Sequence, residues 1–315
     1  MPQPNRISAE VTWEPVEPPA WEGTVELADG YGRHVERFGA GEETLVCLHG
    51  GPGANLRTFY PLTRLARDGV QVVLYDQLGG GRSARPDHDD LFTVEHFVWE
   101  LEALVAALGL GRVHLLGQSW GGMLTLECGI NCPQLLKTLF ICDTAASVRA
   151  AAAGYAQVLE AVPAGLREAV LETHELDAET PASRALLELY ASRVRRAFPF
   201  DLERSCREFL DRVMPLLEDL GRPYEVMWGP NEFNPTGPLR EWDVSDRLAE
   251  IETPAVVLCG AHDEVVPSCS QEIAAGIAGA QCLILGQSSH MIFHEADAGL
   301  AMAAVDAFIR AHAGD

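Results

Sequence analysis

The stretch RVHLLGQSWGGMLTLECGI (112–130) joins two kinds of local structure with almost no linker. Residues 112–116 are a short β-type apolar run, and 121–130 read as the start of a helix. Between them Gly117-Gln118-Ser119-Trp120-Gly121 fits the pattern G-x-S-x-G. In a strand–turn–helix setting that pattern forms a nucleophile elbow, a sharp turn that holds its Ser in a strained backbone conformation with Oγ projecting. The flanking positions need Gly because a Cβ there collides with the neighbouring strand and helix. The pattern alone is weak; its setting gives it meaning, and Ser119 is the expected nucleophile.

The same reading extends along the chain. Further apolar runs occur at 44–48 (TLVCL), 70–75 (VQVVLY), 138–142 (TLFIC), 255–259 (AVVLC) and 282–286 (CLILG). Short runs of this kind, separated by helix-length segments such as VEHFVWELEALVAALG (94–109), predict an α/β fold. Its mostly parallel central sheet is buried on both faces and flanked by helices. GTVELADGYGRHVERFG (23–39) alternates around a DG turn and predicts a β-hairpin in front of it. The strand rhythm stops after Asp143. Residues 182–198 and 202–217 show helical spacing instead, with Leu186, Tyr190 and Val194 on one stripe and Leu202, Cys206, Phe209 and Val213 on another. The expected organisation is a core of residues 1–144 and 245–315, with 145–244 as a helical cap inserted after the sixth strand.

A serine nucleophile needs a base and an acid. In this kind of fold they follow it in the chain, the acid first. His290, in LGQSSHMIFHE just past the last strand, lies where the reacting groups of an open α/β sheet gather. His262 and His312 suit surface or packing roles. His294 forms an HxxxH spacing with His290, without the carboxylate motif of a metal site. Two acids compete. Asp143 ends the run 138–142, and Asp263 follows the run 255–259 in CGAHDEVVP, whose G-x-x-D-x-x-x-P loop favours it. The acid fixes the tautomer of His290 and stabilises its imidazolium.

The remaining requirement is a pair of backbone N–H donors for the oxyanion. HGGPG (49–53) follows the run 44–48, and its glycines let the backbone approach a substrate closely. The expected donors are the N–H groups of Gly51 and Trp120. Gly79-Gly80-Gly81 lacks the G-x-G-x-x-G spacing of a dinucleotide loop, which fails at Ala84, and reads as a tight turn.

HGGPG, YDQLGGGRS (75–83) and GQSWGG (117–122) together resemble the proline iminopeptidase branch of the α/β-hydrolases, peptidase family S33, from about residue 25 to the end. The resemblance implies the α/β-hydrolase fold and a serine hydrolase that needs no metal or organic cofactor. Such an enzyme releases an N-terminal residue, proline or another small or apolar one, from a peptide or amino-acid amide. It also implies that the Glu of GPNEF and the Glu after the acid, here Glu232 and Glu264, bind the substrate's free α-amino group. A buried ammonium needs such carboxylate partners. Trp228 and Phe233 are candidate pocket walls or ordinary packing residues of the cap. The rival readings are an esterase, lactonase or thioesterase without the amine requirement, and a non-catalytic receptor of the same fold.

Composition narrows the partners. With 46 acidic against 23 basic residues the formal net charge is −23. That disfavours nucleic acid and anionic membranes, which attract basic surfaces, and it suits a cationic substrate. No apolar run reaches membrane-spanning length. The N-terminus, rich in Pro and Glu, lacks the apolar stretch of a secretory signal, so a cytoplasmic location is expected. The eight Cys include no CxxC pair, and Cys47, Cys142 and Cys259 fall in strand-like runs. Reduced, buried thiols are expected rather than disulfides or a metal site.

Overall fold

Every apolar run named above forms a strand in the computed structural model, which describes residues 14–67, 69–160, 164–172 and 221–314. The strands are β1 (Trp21–Glu26), β2 (Gly32–Phe38), β3 (Glu43–Leu48), β4 (Val70–Tyr75), β5 (Val113–Gln118), β6 (Leu136–Cys142), β7 (Ala255–Gly260) and β8 (Gln281–Leu285). They make one sheet in the order β1-β2-β4-β3-β5-β6-β7-β8. β1 and β2 form the expected hairpin, closed at Gly30 in the left-handed region (φ 83°), and β2 runs antiparallel to β4. Every pair from β4 to β8 is parallel.

The long apolar runs are explained by burial on both faces. β4, β5 and β7 are buried along their whole length. Alternate side chains feed two separate cores, since successive residues of a strand point to opposite faces. Val46, Leu115, Leu139 and Ile141 join one core with Leu101 and Leu104 of α1 (Val94–Ala107) and Leu124 of α2 (Trp120–Asn131). Leu45, Leu116 and Phe140 join the other with Leu62, from a 3-10 segment at Leu56–Leu65. α1 starts at Thr93, whose side chain accepts from the His96 N–H, and the chain turns away at Gly109 with φ 64°.

Between β6 and β7 the described residues contain no strand. They form α3 (Val148–Leu159), α4 (Ala164–Glu172), α5 (Gly221–Met227) and 3-10 turns at Pro238–Glu241 and Ser245–Glu250. The two ends of this insertion lie side by side. The Val244 N–H donates to the Ala146 carbonyl at 2.8 Å and the Val148 N–H to Trp242 at 3.3 Å. The helical stripes expected over 182–198 and 202–217 lie outside the described residues. After β7 come α6 (Pro267–Gly276), packed through Ile273 into the first core, and α7 (Ala298–Ala311), packed through Met302 and Val305 into the second. Among the described residues no helix is long and apolar enough to cross a membrane.

This topology fixes where chemistry belongs. The chain leaves β3 to form β4 on one side and returns to place β5 on the other, so the strand order reverses between β3 and β5. In open α/β sheets the crevice beyond the carboxyl ends at such a reversal is the binding site. The register brings those ends level, with Leu48 opposite Gly117, Gln118 opposite Cys142, and Gly260 opposite Leu285.

Candidate active site

Ser119 leaves β5 with φ 58° and ψ −121°, a strained conformation for a residue with a side chain. The glycines around it are required by contact. A Cβ on Gly117 would lie 1.9 Å from the Gly121 carbonyl oxygen, and one on Gly121 would lie 1.8 Å from the Leu48 carbonyl oxygen. The elbow is thus wedged between its own helix and the end of β3. The Gly122 and Met123 N–H groups donate to the Ser119 carbonyl, and the Ser119 N–H donates to Cys142 at 3.0 Å. Trp120, first in α2, carries one of the N–H groups that a helix start leaves without an intrahelical acceptor.

HGGPG lies directly against this turn. A Cβ on Gly50 would come within 3.2 Å of Ser119 Cβ and 3.0 Å of Gln118 Oε1. Gly51 has φ 107°, which glycine alone adopts readily, and precedes a cis peptide to Pro52. His49 is fully buried, and its Nε2 accepts from the Gln77 N–H at 2.9 Å. Nδ1 then carries the proton and donates to the Gly50 carbonyl at 3.0 Å. Burial depresses His49 to about 4, so it is neutral.

The structure brings Asp263 to His290. His290 Nδ1 donates to Asp263 Oδ1 at 2.9 Å, and the same oxygen accepts the Val265 N–H at 2.9 Å. Asp143 does not make this contact. It is fully buried at the end of β6 with φ 49°, and its Oδ1 accepts the Gly260 N–H at 3.2 Å. Burial, reinforced by the Asp263 charge, holds Asp143 well above the usual carboxylate range.

The loop carrying His290 is pinned from both sides. Gln118, immediately before Ser119, donates from Nε2 to the His290 carbonyl at 2.7 Å. Buried Glu295 accepts the Ser289 N–H and hydroxyl and, at 3.4 Å, the Met291 N–H; burial raises it to about 7. His294 is buried and donates from Nε2 to the Thr58 carbonyl at 2.6 Å, as a packing residue.

Glu232 and Glu264, distant in sequence, converge on His290. One ligand atom from each of the three lies within 4.8 Å of the others. Glu264 is 2% exposed, with Oε1 3.7 Å from His290 Nδ1. A Cβ on Gly154 of α3 would meet the Glu264 carbonyl oxygen at 2.0 Å, so the insertion packs against this loop. Glu232 is held by its neighbours. The buried Asn231 side chain accepts the Phe233 N–H at 3.0 Å and donates to Leu171 of α4 at 3.2 Å. Trp228 and Phe233 are buried and meet Tyr155 of α3 edge to face at 6.4 and 6.0 Å.

This acidic surround changes the imidazole. Burial alone depresses His290, but the Glu264, Asp263 and Glu232 carboxylates outweigh it and hold the ring well above its ordinary value. The ring therefore keeps its proton to higher pH than an ordinary imidazole. Sequence reasoning missed Gln77, Gln118 and Glu295 as parts of the site. Gln77 stood inside a recognisable motif, whereas Glu295 had no local pattern to mark it.

Residues 43–297 match the model of the α/β hydrolase fold family. The proline iminopeptidase of Lactiplantibacillus plantarum is 34% identical over 251 residues, covering 79% of this chain and 86% of the relative. That of Saccharolobus solfataricus is 31% identical over 284 residues, covering 86% and 89%. Among solved structures, the proline iminopeptidase of Mycobacterium smegmatis superposes with a TM-score of 0.74 at 31% identity, covering 93% of this chain and 98% of its own. VinJ superposes with a TM-score of 0.80 at 30% identity, covering 94% and 100%.

Proposed function

The chain belongs to the proline iminopeptidase family of the α/β-hydrolase fold, and we propose that it is a serine aminopeptidase that releases the N-terminal residue of a peptide or amino-acid amide. One observation carries the substrate class: Glu232 and Glu264 converge beside the Asp263–His290 pair. Two carboxylates there favour a cation, and the cation a free N-terminus presents is its α-ammonium. The described parts of the insertion, residues 145–160, 164–172 and 221–244, serve as a cap over this end of the sheet.

Glu232 and Glu264 hold the ammonium and so position the first carbonyl beside Ser119, which makes the attack effectively unimolecular. Entry of the ammonium also offsets the carboxylate charges that favour the imidazolium, so His290 releases its proton more readily once substrate is bound. His290, oriented by Asp263, takes the Ser119 hydroxyl proton as Oγ attacks the carbonyl carbon. The N–H groups of Gly51 and Trp120 stabilise the oxyanion. His290 then gives its proton to the leaving amine, and an acyl-enzyme ester remains on Ser119. Water, deprotonated by the same imidazole, attacks the ester and frees the amino acid.

The test compares prolyl and alanyl naphthylamides, each with a free and an acetylated amine, with Ser119→Ala as control. Hydrolysis confined to the free amines is the expected result, and the Pro/Ala ratio then reports the preferred residue. Equal hydrolysis of the acetylated compounds overturns the aminopeptidase reading and leaves a general acyl hydrolase. Ser119 that fails to react with a fluorophosphonate in folded protein overturns the enzyme reading altogether.

A further inference from the structure

The two expected oxyanion donors belong to different parts of the chain. Gly51 lies in the loop after β3, and Trp120 opens the helix after β5. Their separation has to be held to a fraction of an ångström, because donors act only when they are already aimed at the developing charge. We propose that Gln77 is the positioning residue that sets this separation, a strut bonded at once to the HGGPG loop and to the residue after the nucleophile. The inference rests on the serine-hydrolase reading above, in which these N–H groups stabilise an oxyanion.

Gln77 is 1% exposed, directly beyond the end of β4. Its Oε1 accepts the Trp120 indole N–H at 2.9 Å. Its Nε2 donates to the His49 carbonyl at 2.9 Å, and its backbone N–H donates to His49 Nε2 at 2.9 Å. One residue therefore holds both the backbone and the side chain of His49, while its other amide end holds the Trp120 ring. The amide is suited to this because it offers a donor and an acceptor on one planar group. Each bond is buried, where an unmade partner is costly, so the arrangement resists loosening.

The surrounding loop keeps Gln77 in place. Gly80 donates its N–H to the Gln77 carbonyl at 2.9 Å, and a Cβ on Gly80 would meet the Ala54 carbonyl oxygen at 2.5 Å. Asp76 accepts the Leu56 N–H at 2.7 Å and the Arg82 N–H at 2.8 Å. Ser83 closes the loop by donating to the Asp76 carbonyl. The glycine-rich segment 76–83 thus lashes the loop after β3 on one side and steadies the strut on the other. On the Trp120 side the ring is buried and meets Phe97 of α1 edge to face at 5.6 Å, so it cannot swing to follow a displaced Gln77.

The experiment uses Gln77→Leu, Gln77→Glu and Trp120→Phe in the full chain, with thermal melting as the check on folding. Three quantities are read: kcat and KM on a free-amine naphthylamide, and the rate of fluorophosphonate labelling of Ser119. Labelling reports the oxyanion donors without involving the ammonium site, so it stays informative even if the aminopeptidase reading fails. Gln77→Leu is expected to lower kcat and the labelling rate together, by about 10- to 100-fold, with KM within about twofold; small misplacements at a site cost of this order. Gln77→Glu keeps an acceptor for Trp120 but sets a carboxyl oxygen against the His49 carbonyl, so kcat and the labelling rate are again expected to fall together. It also serves if the leucine variant does not fold. Because Gln77→Leu already breaks the Trp120 bond, adding Trp120→Phe costs less than the product of the single losses. A change in KM alone, an unaltered labelling rate in a folded variant, or independent multiplication of the two losses overturns the proposal.

Discussion

At the scale of single residues, the acid assignment depends on a contact for which two sequence positions compete, the loop pattern favouring Asp263 over Asp143. Asp143 and Asp263 both follow strands whose ends are level, Cys142 and Leu258 being register partners. Only Asp263 holds His290 Nδ1. Asp263→Asn is expected to lower kcat by about 10³–10⁴-fold, since the amide orients the wrong tautomer. Asp143→Asn is expected to cost less than about tenfold, because Asp143 bonds the Gly260 N–H rather than His290 and an amide oxygen can accept that bond as well; the reverse ranking in steady-state kinetics would transfer the role to Asp143. The pH profile follows from His290. The base must be neutral, so activity is present above its pKa and lost as pH falls through it. With the pKa raised in the empty site, the acid limb of kcat/KM lies above the usual imidazole range. With an ammonium between Glu232 and Glu264, the acid limb of kcat lies lower. Glu264→Gln should move the kcat/KM limb towards acid; a limb that stays put would detach Glu264 from the base.

At the scale of elements, the elbow was legible because its requirements are local. A Ser in a strained turn needs small neighbours, and the structure gives the distances: Gly117 meets Gly121, and Gly121 meets Leu48. Gly121→Ala should therefore destabilise the protein by about 3 kcal/mol or more, since backbone atoms rather than a movable side chain are overpacked. A urea unfolding midpoint unchanged from wild type would show that the helix slides away at little cost. Strand identity was read well from apolar runs, and strand ends less so. β5 continues through Gly117 to Gln118, and β6 begins at Leu136 rather than 138. Gly, Gln and Lys have weak β preference, but pairing with neighbouring strands extends the ladder across them.

At the scale of the whole molecule, one buried ion-pair network ties the antiparallel edge to the site. Arg33 of β2 donates to Glu100 of α1 at 2.6 Å and to Asp29 at 2.5 Å, and both Arg33 and Glu100 are fully buried. Glu100 also accepts the Leu78 N–H at 3.1 Å, next to Gln77. Burial already pushes Glu100 to about 7 against the opposing pull of Arg33. Arg33→Met leaves that carboxyl without its cation and should cost about 3–5 kcal/mol, measured by chemical denaturation. A loss below about 1 kcal/mol would mean that Glu100 simply takes up a proton, at little cost to the fold. Nothing in the sequence marked these residues, which lie 67 positions apart and pair only once β2 and α1 share a face.

The sequence by itself determined the parallel sheet, the elbow and the chemical types at the site, because periodicity, glycine placement and turn chemistry are short-range properties of the chain. It also singled out HGGPG and GPNEF through motifs whose residues are contiguous. Only the tertiary structure decided that Gln77 joins the HGGPG loop to the residue after the nucleophile, and it brought together the groups the sequence had put forward, Asp263 with His290 and Glu232 with Glu264. Those outcomes depend on which strand ends lie side by side, and strand order is set by long-range packing that no local pattern encodes.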